Sequence, residues 1–237
     1  MRREPRIAAA AALIGNPGRA AMLTALMDGR ALPATELAAA AGLSAAGASE
    51  HLAQLLAGGL LTVIREGRHR YYRLATEHVA AILEGLALIG HAEPERGLRS
   101  KRQNVNSLRF ARTCYDHLAG ELGVSIMSAL QERSLLALGE GKRFLVSPRG
   151  AQWFSEELAI ATKSLKPARH GIAWACLDWT ERRYDLAGPL GAALLRRCFD
   201  LRYLRRGKEH RMVHLTLSGA KFVAVELGLN CGHGDAS

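Results

Sequence analysis

The stretch from Pro33 to Leu74, PATELAAAAGLSAAGASEHLAQLLAGGLLTVIREGRHRYYRL, leaves this chain few ways to fold. Ala34 to Ala41 is rich in good helix formers, and Leu37, Ala38 and Ala41 fall on one apolar face. Gly42 is placed as a C-cap, and Ser44 as the N-cap of a second helix. That helix puts Ala48, Leu52, Leu55 and Leu56 on its inner side and ends at Gly58-Gly59. Leu60 to Arg65 then predicts a strand, Glu66-Gly67-Arg68-His69 its turn, and Arg70 to Leu74 the returning strand.

A helix, tight turn and second helix beside a basic hairpin is a winged helix-turn-helix arrangement. The second helix lies in the major groove of duplex DNA, and the wing reaches phosphates or the minor groove. The residues placed to do this are Ser44, Ser49, His51 and Gln54 on the helix, with Arg65, Arg68, His69, Arg70 and Arg73 on the wing. Phosphate contacts would come from the wing arginines and base or backbone contacts from the helix. The plainer alternatives are a solvated hairpin and, for His51, local packing.

Net charge is +10 over 237 residues, which suits a polyanionic partner. The excess lies beyond Glu93, however, so the case for DNA binding rests on where the wing cations stand and not on bulk basicity. Hydrophobic residues make up 49% and charged ones 23%, a globular balance that argues against disorder. No apolar run is long enough to span a bilayer, and MRREPRIAAAAALIG reads as a first amphipathic helix, not a cleaved leader. Cys114, Cys176, Cys198 and Cys231 show no CxxC and no dense scaffold, consistent with a reduced, cytoplasmic setting without membrane association.

In chain order, Arg6 to Ile14 and Gly18 to Met27 are the first two helices, the latter bracketed by Pro17 and Gly29. After the wing, Glu77 to Ile89 carries Val79, Ile82, Leu83, Leu86 and Ile89, more apolar residues than a solvated helix holds. So small a winged domain has little left inside to cover that helix and the first one. Packing across a two-fold axis would make a homodimer, and burial against the second half is the alternative. Composition changes abruptly at HAEPERGLRSKRQNVN, the linker candidate.

Beyond it lies an internal repeat. YDHLAGELGVSIMSAL from Tyr115 matches YDLAGPLGAALLRRC from Tyr184, and FLVSPRGAQWFSEELAI from Phe144 matches VHLTLSGAKFVAVELGL from Val213. Each copy reads as helix, helix or turn, strand, Ser-x-Gly turn and closing helix. The expected class is α+β: a mainly helical winged domain over 1–92, a linker over 93–107, a duplicated helix/strand domain of two lobes over 108–229, and a tail over 230–237.

The first ninety or so residues resemble the arsenic-repressor (ArsR/SmtB) family of dimeric bacterial winged helix-turn-helix repressors. IAAAAALIGNPGRAAMLTALMDG, ELAAAAGLS, SEHLAQLLAGGLL and IREGRHRYYRL carry the likeness, in order and at the right spacing. RFARTCYDHLAG and CLDWTERR resemble the extension of a longer subgroup. Three departures stand out. The cysteine pair by which some members hold metal is missing from ELAAAAG. His78 and His91 stand 13 residues apart on different helical faces without a leading aspartate. Gly47 replaces a hydroxyl residue in the recognition helix, at a cost of roughly 1 kcal/mol relative to alanine, and Glu50 would repel phosphates unless it accepts from a cytosine amine.

In the second half, Cys114 and His117 are placed at i, i+3 on one helix face, with Cys176-Leu177-Asp178 in the linker to the second copy. Cys114, His117 and Cys176 together offer a soft-metal or metalloid site, with Asp178 near it and Trp153, Trp174 and Trp179 as walls of a pocket between the lobes. Burial of the thiols as small hydrophobes is the plainer reading, and no metal or other cofactor is needed for folding or DNA binding. Arg196 and Arg197 would lower the pKa of an exposed Cys198, and the basic run Arg196 to Arg211 resembles a second wing. No triad or paired carboxylates point to an enzyme. The function these features favour is a sequence-specific transcriptional regulator, a dimeric repressor released from its operator by a small-molecule, metalloid or redox signal in the second domain. The alternative is a constitutive DNA-binding protein whose second domain is structural or dimerising.

Overall fold

A computed structural model describes residues 7–67, 69–89, 107–168, 170–207 and 211–230. The chain divides into two compact units, Met1–Leu86 and Ala87–Ser237. The expected linker lies almost wholly outside the described residues, as do Arg68, His91 and the tail cysteine Cys231.

The first unit begins with α1 (Ile7–Ile14) and α2 (Pro17–Ala25). The Asn16 side chain accepts from the Arg19 N–H to cap α2, and Pro17 occupies its first turn. A short β1 (Leu32–Pro33) leads into α3 (Ala34–Ala41), which ends at Gly42 in the left-handed conformation. Ser44 then caps α4 (Ala45–Ala57), accepting from the Gly47 N–H. Ala48, Leu52 and Leu55 of α4 are buried with Met22, Leu23, Leu26 and Leu37, a face that stabilises the unit by roughly 1.5–3 kcal/mol per large side chain.

β2 (Leu61–Glu66) and β3 (His69–Leu74) form the hairpin, with β1 on the other side of β3. Glu66 pairs with His69, so the tip closes on two residues and not on the four-residue turn expected from sequence. Gly67, at φ +59°, supplies the positive φ that such a tight turn needs. α5 (Glu77–Ile89) follows and buries Val79, Ala80 and Leu83.

In the second unit each copy of the repeat is a hairpin, a helix, a second hairpin and a second helix. The first copy runs β4 (Arg112–Cys114), β5 (His117–Ala119), α6 (Glu121–Glu132), β6 (Leu136–Leu138), β7 (Phe144–Val146) and α7 (Pro148–Leu158). The second runs β8 (Trp174–Leu177), β9 (Tyr184–Ala187), α8 (Gly188–Asp200), β10 (Leu204–Arg206), β11 (Val213–Leu215) and α9 (Leu217–Leu227).

Three sequence expectations change here. Tyr115 does not open a helix: it sits at φ +56° in the turn of β4–β5, and the helix starts only after Gly120. Leu118-Ala119 is too short an apolar run to separate a strand from a first helical turn by pattern alone. Cys176 lies within β8 of the second copy, not in a linker before it. In place of a Ser-x-Gly turn, Ser147 and Thr216 are helix N-caps that accept from the Gly150 and Gly219 N–H groups.

The copies are interleaved. α6 packs on β9 of the other copy and α8 packs on β5, so neither copy closes its core alone. Gly123 and Gly191 let each of these helices also sit close on the strand that precedes it in its own copy. A Cβ on either would stand 2.5 Å or 2.1 Å from the carbonyl oxygens of Leu118 and Leu186. One continuous core results, running through Leu122, Met127, Leu130, Phe154, Leu190 and Val223.

Candidate functional site

The wing carries exposed cations, and α4 carries exposed polar side chains. On the hairpin, Leu61, Val63 and Arg65 share a face with Leu74, Tyr72 and Arg70, their cross-strand partners. Leu61, Tyr72 and Leu74 are buried, whereas Arg65 and Arg70 are exposed, so the charge begins where the hairpin leaves the core. Two arginines directly opposite each other repel, a cost that a polyanion crossing the hairpin would remove. Exposed His69 and Arg73 lie on the other face, with Tyr71, whose ring stands 6.5 Å from that of His69.

On α4, Ser44, Ser49 and Glu50 are exposed, and the Ser44 hydroxyl is already engaged as the cap. His51 and Gln54 are half-buried. Gln54 accepts from an Arg19 guanidinium N–H and donates to Glu50 at 3.4 Å. Arg19 also donates to the Ala12 and Leu13 carbonyls at 2.7 and 2.6 Å, tying the C-terminal end of α1 to α2 and α4. Nothing in the sequence pattern had singled out Arg19, because its side-chain partners come from two other helices, α1 and α4.

The second unit holds a different kind of site. Cys114 pairs across its hairpin with His117, and Cys176 pairs across its own with Asp185. In the repeat, His117-Leu118-Ala119-Gly120 matches Asp185-Leu186-Ala187-Gly188, and both glycines adopt nearly the same positive φ, +86° and +87°. The interleaving brings the two cross-strand pairs together. Ligand atoms of Cys114, His117 and Cys176 all lie within 4.8 Å of one another, and His117 Nε2 is 3.2 Å from Asp185 Oδ1. The residues do not share a helix face, as their i, i+3 spacing had suggested. They meet because two hairpins do.

Around His117, Nδ1 lies 3.2 Å from Asp116 Oδ1. Burial opposes a charge on the imidazole, but the Cys114 sulfur and the Asp185 and Asp116 carboxyls outweigh it and raise His117 well above 6.5. Burial likewise raises the Asp185 carboxyl, with His117 only partly offsetting it. Asp185 is wholly buried, and both its oxygens lack a hydrogen-bond partner among the described residues. The sequence reading passed over Asp185, although its alignment with His117 in the two LAG segments was a usable signal.

Asp178 is occupied with holding the copies together. Its carboxylate accepts from Arg112 Nη2 at 2.7 Å, the Gly120 N–H at 2.6 Å, Thr180 N–H and Oγ1, and the Glu181 N–H. Burial would raise this carboxyl, but the Arg112 guanidinium and these donors hold it below its usual range. Arg112 is itself 1% exposed, and its guanidinium lies 4.8 Å from the centroid of the Trp179 ring.

The tryptophans expected as pocket walls each have their own neighbours. Trp179 lies against Arg112, Trp153 packs on Phe154 and Phe222 and donates to Glu226, and Trp174 meets the His170 ring. Cys198 is not activated by its arginines: it is buried in α8, and burial pushes its thiol up to about 12. In the basic run, Arg197 donates to the Leu158 carbonyl, Arg211 to the Thr113 carbonyl, and Arg206 lies over the Phe199 ring.

A capped recognition helix beside a basic antiparallel hairpin defines a DNA-binding regulator of the helix-turn-helix class, and a helix-turn-helix domain model matches residues 14–64. The chain is 40% identical over 226 residues to the HTH-type transcriptional regulator YdfF of Bacillus subtilis, covering 95% of this chain and 98% of that one. It is 37% identical over 87 residues to the regulator CmtR of Mycobacterium tuberculosis, covering 37% of this chain and 73% of that one. The chain belongs to the ArsR/SmtB-like winged helix-turn-helix transcriptional regulators. Among solved structures, NolR from Sinorhizobium fredii shares 30% identity at a TM-score of 0.33, covering 36% of this chain and 85% of that one.

Proposed function

We propose that the protein is a homodimeric repressor that holds its operator through α4 and the wing and releases it when the second unit takes up an effector. The observation that carries the sensing half is the cluster of buried Cys114, His117 and Asp185 with half-buried Cys176. Sequestering ionisable groups costs stability unless they are paired or ligated, so a domain that only braced the first unit would gain from apolar residues there. The dimer is supported by apolar side chains left in water: Ile7 on α1 and Ile82, Leu86 and Ile89 on α5, the last 84% exposed. Such a regulator needs no catalytic group, and it acts on chromosomal DNA in the cytoplasm.

Two recognition helices on one dimer would meet successive major grooves about 34 Å apart. Footprinting on the promoter upstream of the protein's own gene should therefore protect two half-sites one helical turn apart, and affinity should fall steeply with salt. A monomer in sedimentation, or binding that ignores salt, would defeat the dimer reading. Operator occupancy unchanged by metals, oxidants and hydrophobic small molecules alike would leave a constitutive binder.

A further inference from the structure

The duplicated hairpins place two thiols, an imidazole and a carboxylate at equivalent positions about one point. Cys114 and His117 come from the first copy, and Cys176 and Asp185 from the second. A four-coordinate thiophilic ion holds its ligand atoms roughly 3.3–3.8 Å apart, given metal–sulfur bonds of about 2.3 Å and metal–nitrogen bonds of about 2.0 Å. The 4.8 Å spread of the Cys114, His117 and Cys176 atoms needs only a small contraction to meet that geometry.

Two further features point to a ligand. Asp185 is wholly buried with neither oxygen hydrogen-bonded among the described residues, and its Oδ1 faces His117 Nε2 at 3.2 Å. Each nitrogen of His117 also has a carboxylate beside it, Asp116 on Nδ1 and Asp185 on Nε2. Whichever nitrogen takes an ion, the other has an acceptor to fix the ring, the arrangement that orients metal-binding histidines. Cys176 is half-buried, which gives solvent a way in.

We propose that Cys114, His117 and Cys176 bind one thiophilic divalent cation of the zinc and cadmium class, with Asp185 completing or steadying the site. Thiolate sulfur and imidazole select such ions over magnesium or calcium, which want oxygen donors. Binding displaces the protons these groups hold, so affinity rises with pH. The site lies outside residues 14–64, so it is separate from the helix-turn-helix match. An ion there would pin β4–β5 of one copy to β8–β9 of the other. This names the effector class for the sensing reading and rests on that reading only for its effect on DNA.

The test uses the reduced, chelator-treated full-length protein, titrated anaerobically with Co²⁺ and then with Zn²⁺ or Cd²⁺. One Co²⁺ per chain should bind with thiolate-to-cobalt charge transfer and the intense visible bands of a tetrahedral site, and Zn²⁺ should displace it. Cys114→Ser/Cys176→Ser should lose the charge-transfer band, Asp185→Asn should weaken binding roughly 10–100-fold, and Cys198→Ser should change neither. Should the double variant fail to fold, alkylation mapping of the wild type decides: Cd²⁺ but not Mg²⁺ should protect the half-buried Cys176. No charge transfer, no protection, or a Cys114–Cys176 disulfide formed by mild oxidant in a protein that binds no Co²⁺ would overturn the proposal. Operator affinity is measured in the same titration. Stoichiometric binding with unchanged affinity keeps the site and removes the sensing reading; release by another compound in a protein without Co²⁺ binding does the reverse.

Discussion

The two sites of this molecule are built on opposite principles. The wing and α4 expose their polar groups, with Arg65 and Arg70 opposed across a hairpin and Ser49 in water. The second unit buries its polar groups and arranges them face to face, with His117 and Asp185 3.2 Å apart in a core where water cannot screen them. The contrast follows from what each must meet. A DNA backbone is a large, rigid polyanion that supplies the missing partners from outside, so the protein need only hold cations at its edge. On the reading proposed above, a small effector has little surface to recognise, so its site must be largely enclosed and pre-positioned.

The sharpest way to break the comparison is to open the second unit and leave the first alone. Asp178→Ala strands the Arg112 guanidinium, 1% exposed, and should cost about 3–5 kcal/mol. Calorimetry should show the second unit's transition lowered while that of the first stays in place; equal lowering of both would mean that the units do not unfold separately. On the exposed side, Arg65→Ala/Arg70→Ala should weaken binding to all DNA sequences about equally and reduce the salt slope by about 2, because phosphate contacts carry no base information. Ser49→Ala is the complement: a base contact there would change the preference among operator variants by about 1–3 kcal/mol at one position without touching the salt slope.

Smaller effects sharpen the same contrast. Gly47 lies in the first turn of α4, and a Cβ there would meet only Ser44 Oγ at 3.5 Å. Gly47→Ala should therefore stabilise the first unit by roughly 0.5–1 kcal/mol, read as a raised urea midpoint, and a loss would show that the backbone needs glycine there. The smallest effect is expected at Cys198. With its thiol at about 12 in the fold against an ordinary 9.0, it stays protonated and inert to alkylation at neutral pH until the chain is unfolded. Because the folded value is the higher one, its contribution to stability is intact below 9.0 and declines as pH rises from there toward 12.

Sequence alone determined most of the first unit. α3 and α5 run over the residues that period and caps indicated, Ala34–Ala41 and Glu77–Ile89, and Gly42 and Ser44 cap where expected. Helix signals are local: caps, glycine stops and a 3.6-residue period all act within a few residues of the backbone they shape. The hairpin tip was less legible, since a two-residue and a four-residue turn differ only in whether Glu66 and His69 pair. In the second unit the repeat itself could be read, as could the suspicion that Cys114, His117 and Cys176 belong together. How they meet was decided by tertiary structure. Leu118-Ala119 and Leu186-Ala187 are strands because each lies under a helix of the other copy, through α8 on β5 and α6 on β9. That swap sets His117 against Asp185 and makes Asp178 a latch holding Arg112 and Gly120. Contacts between residues some sixty positions apart leave no local period, and a short strand between a turn and a helix has too few residues to announce itself.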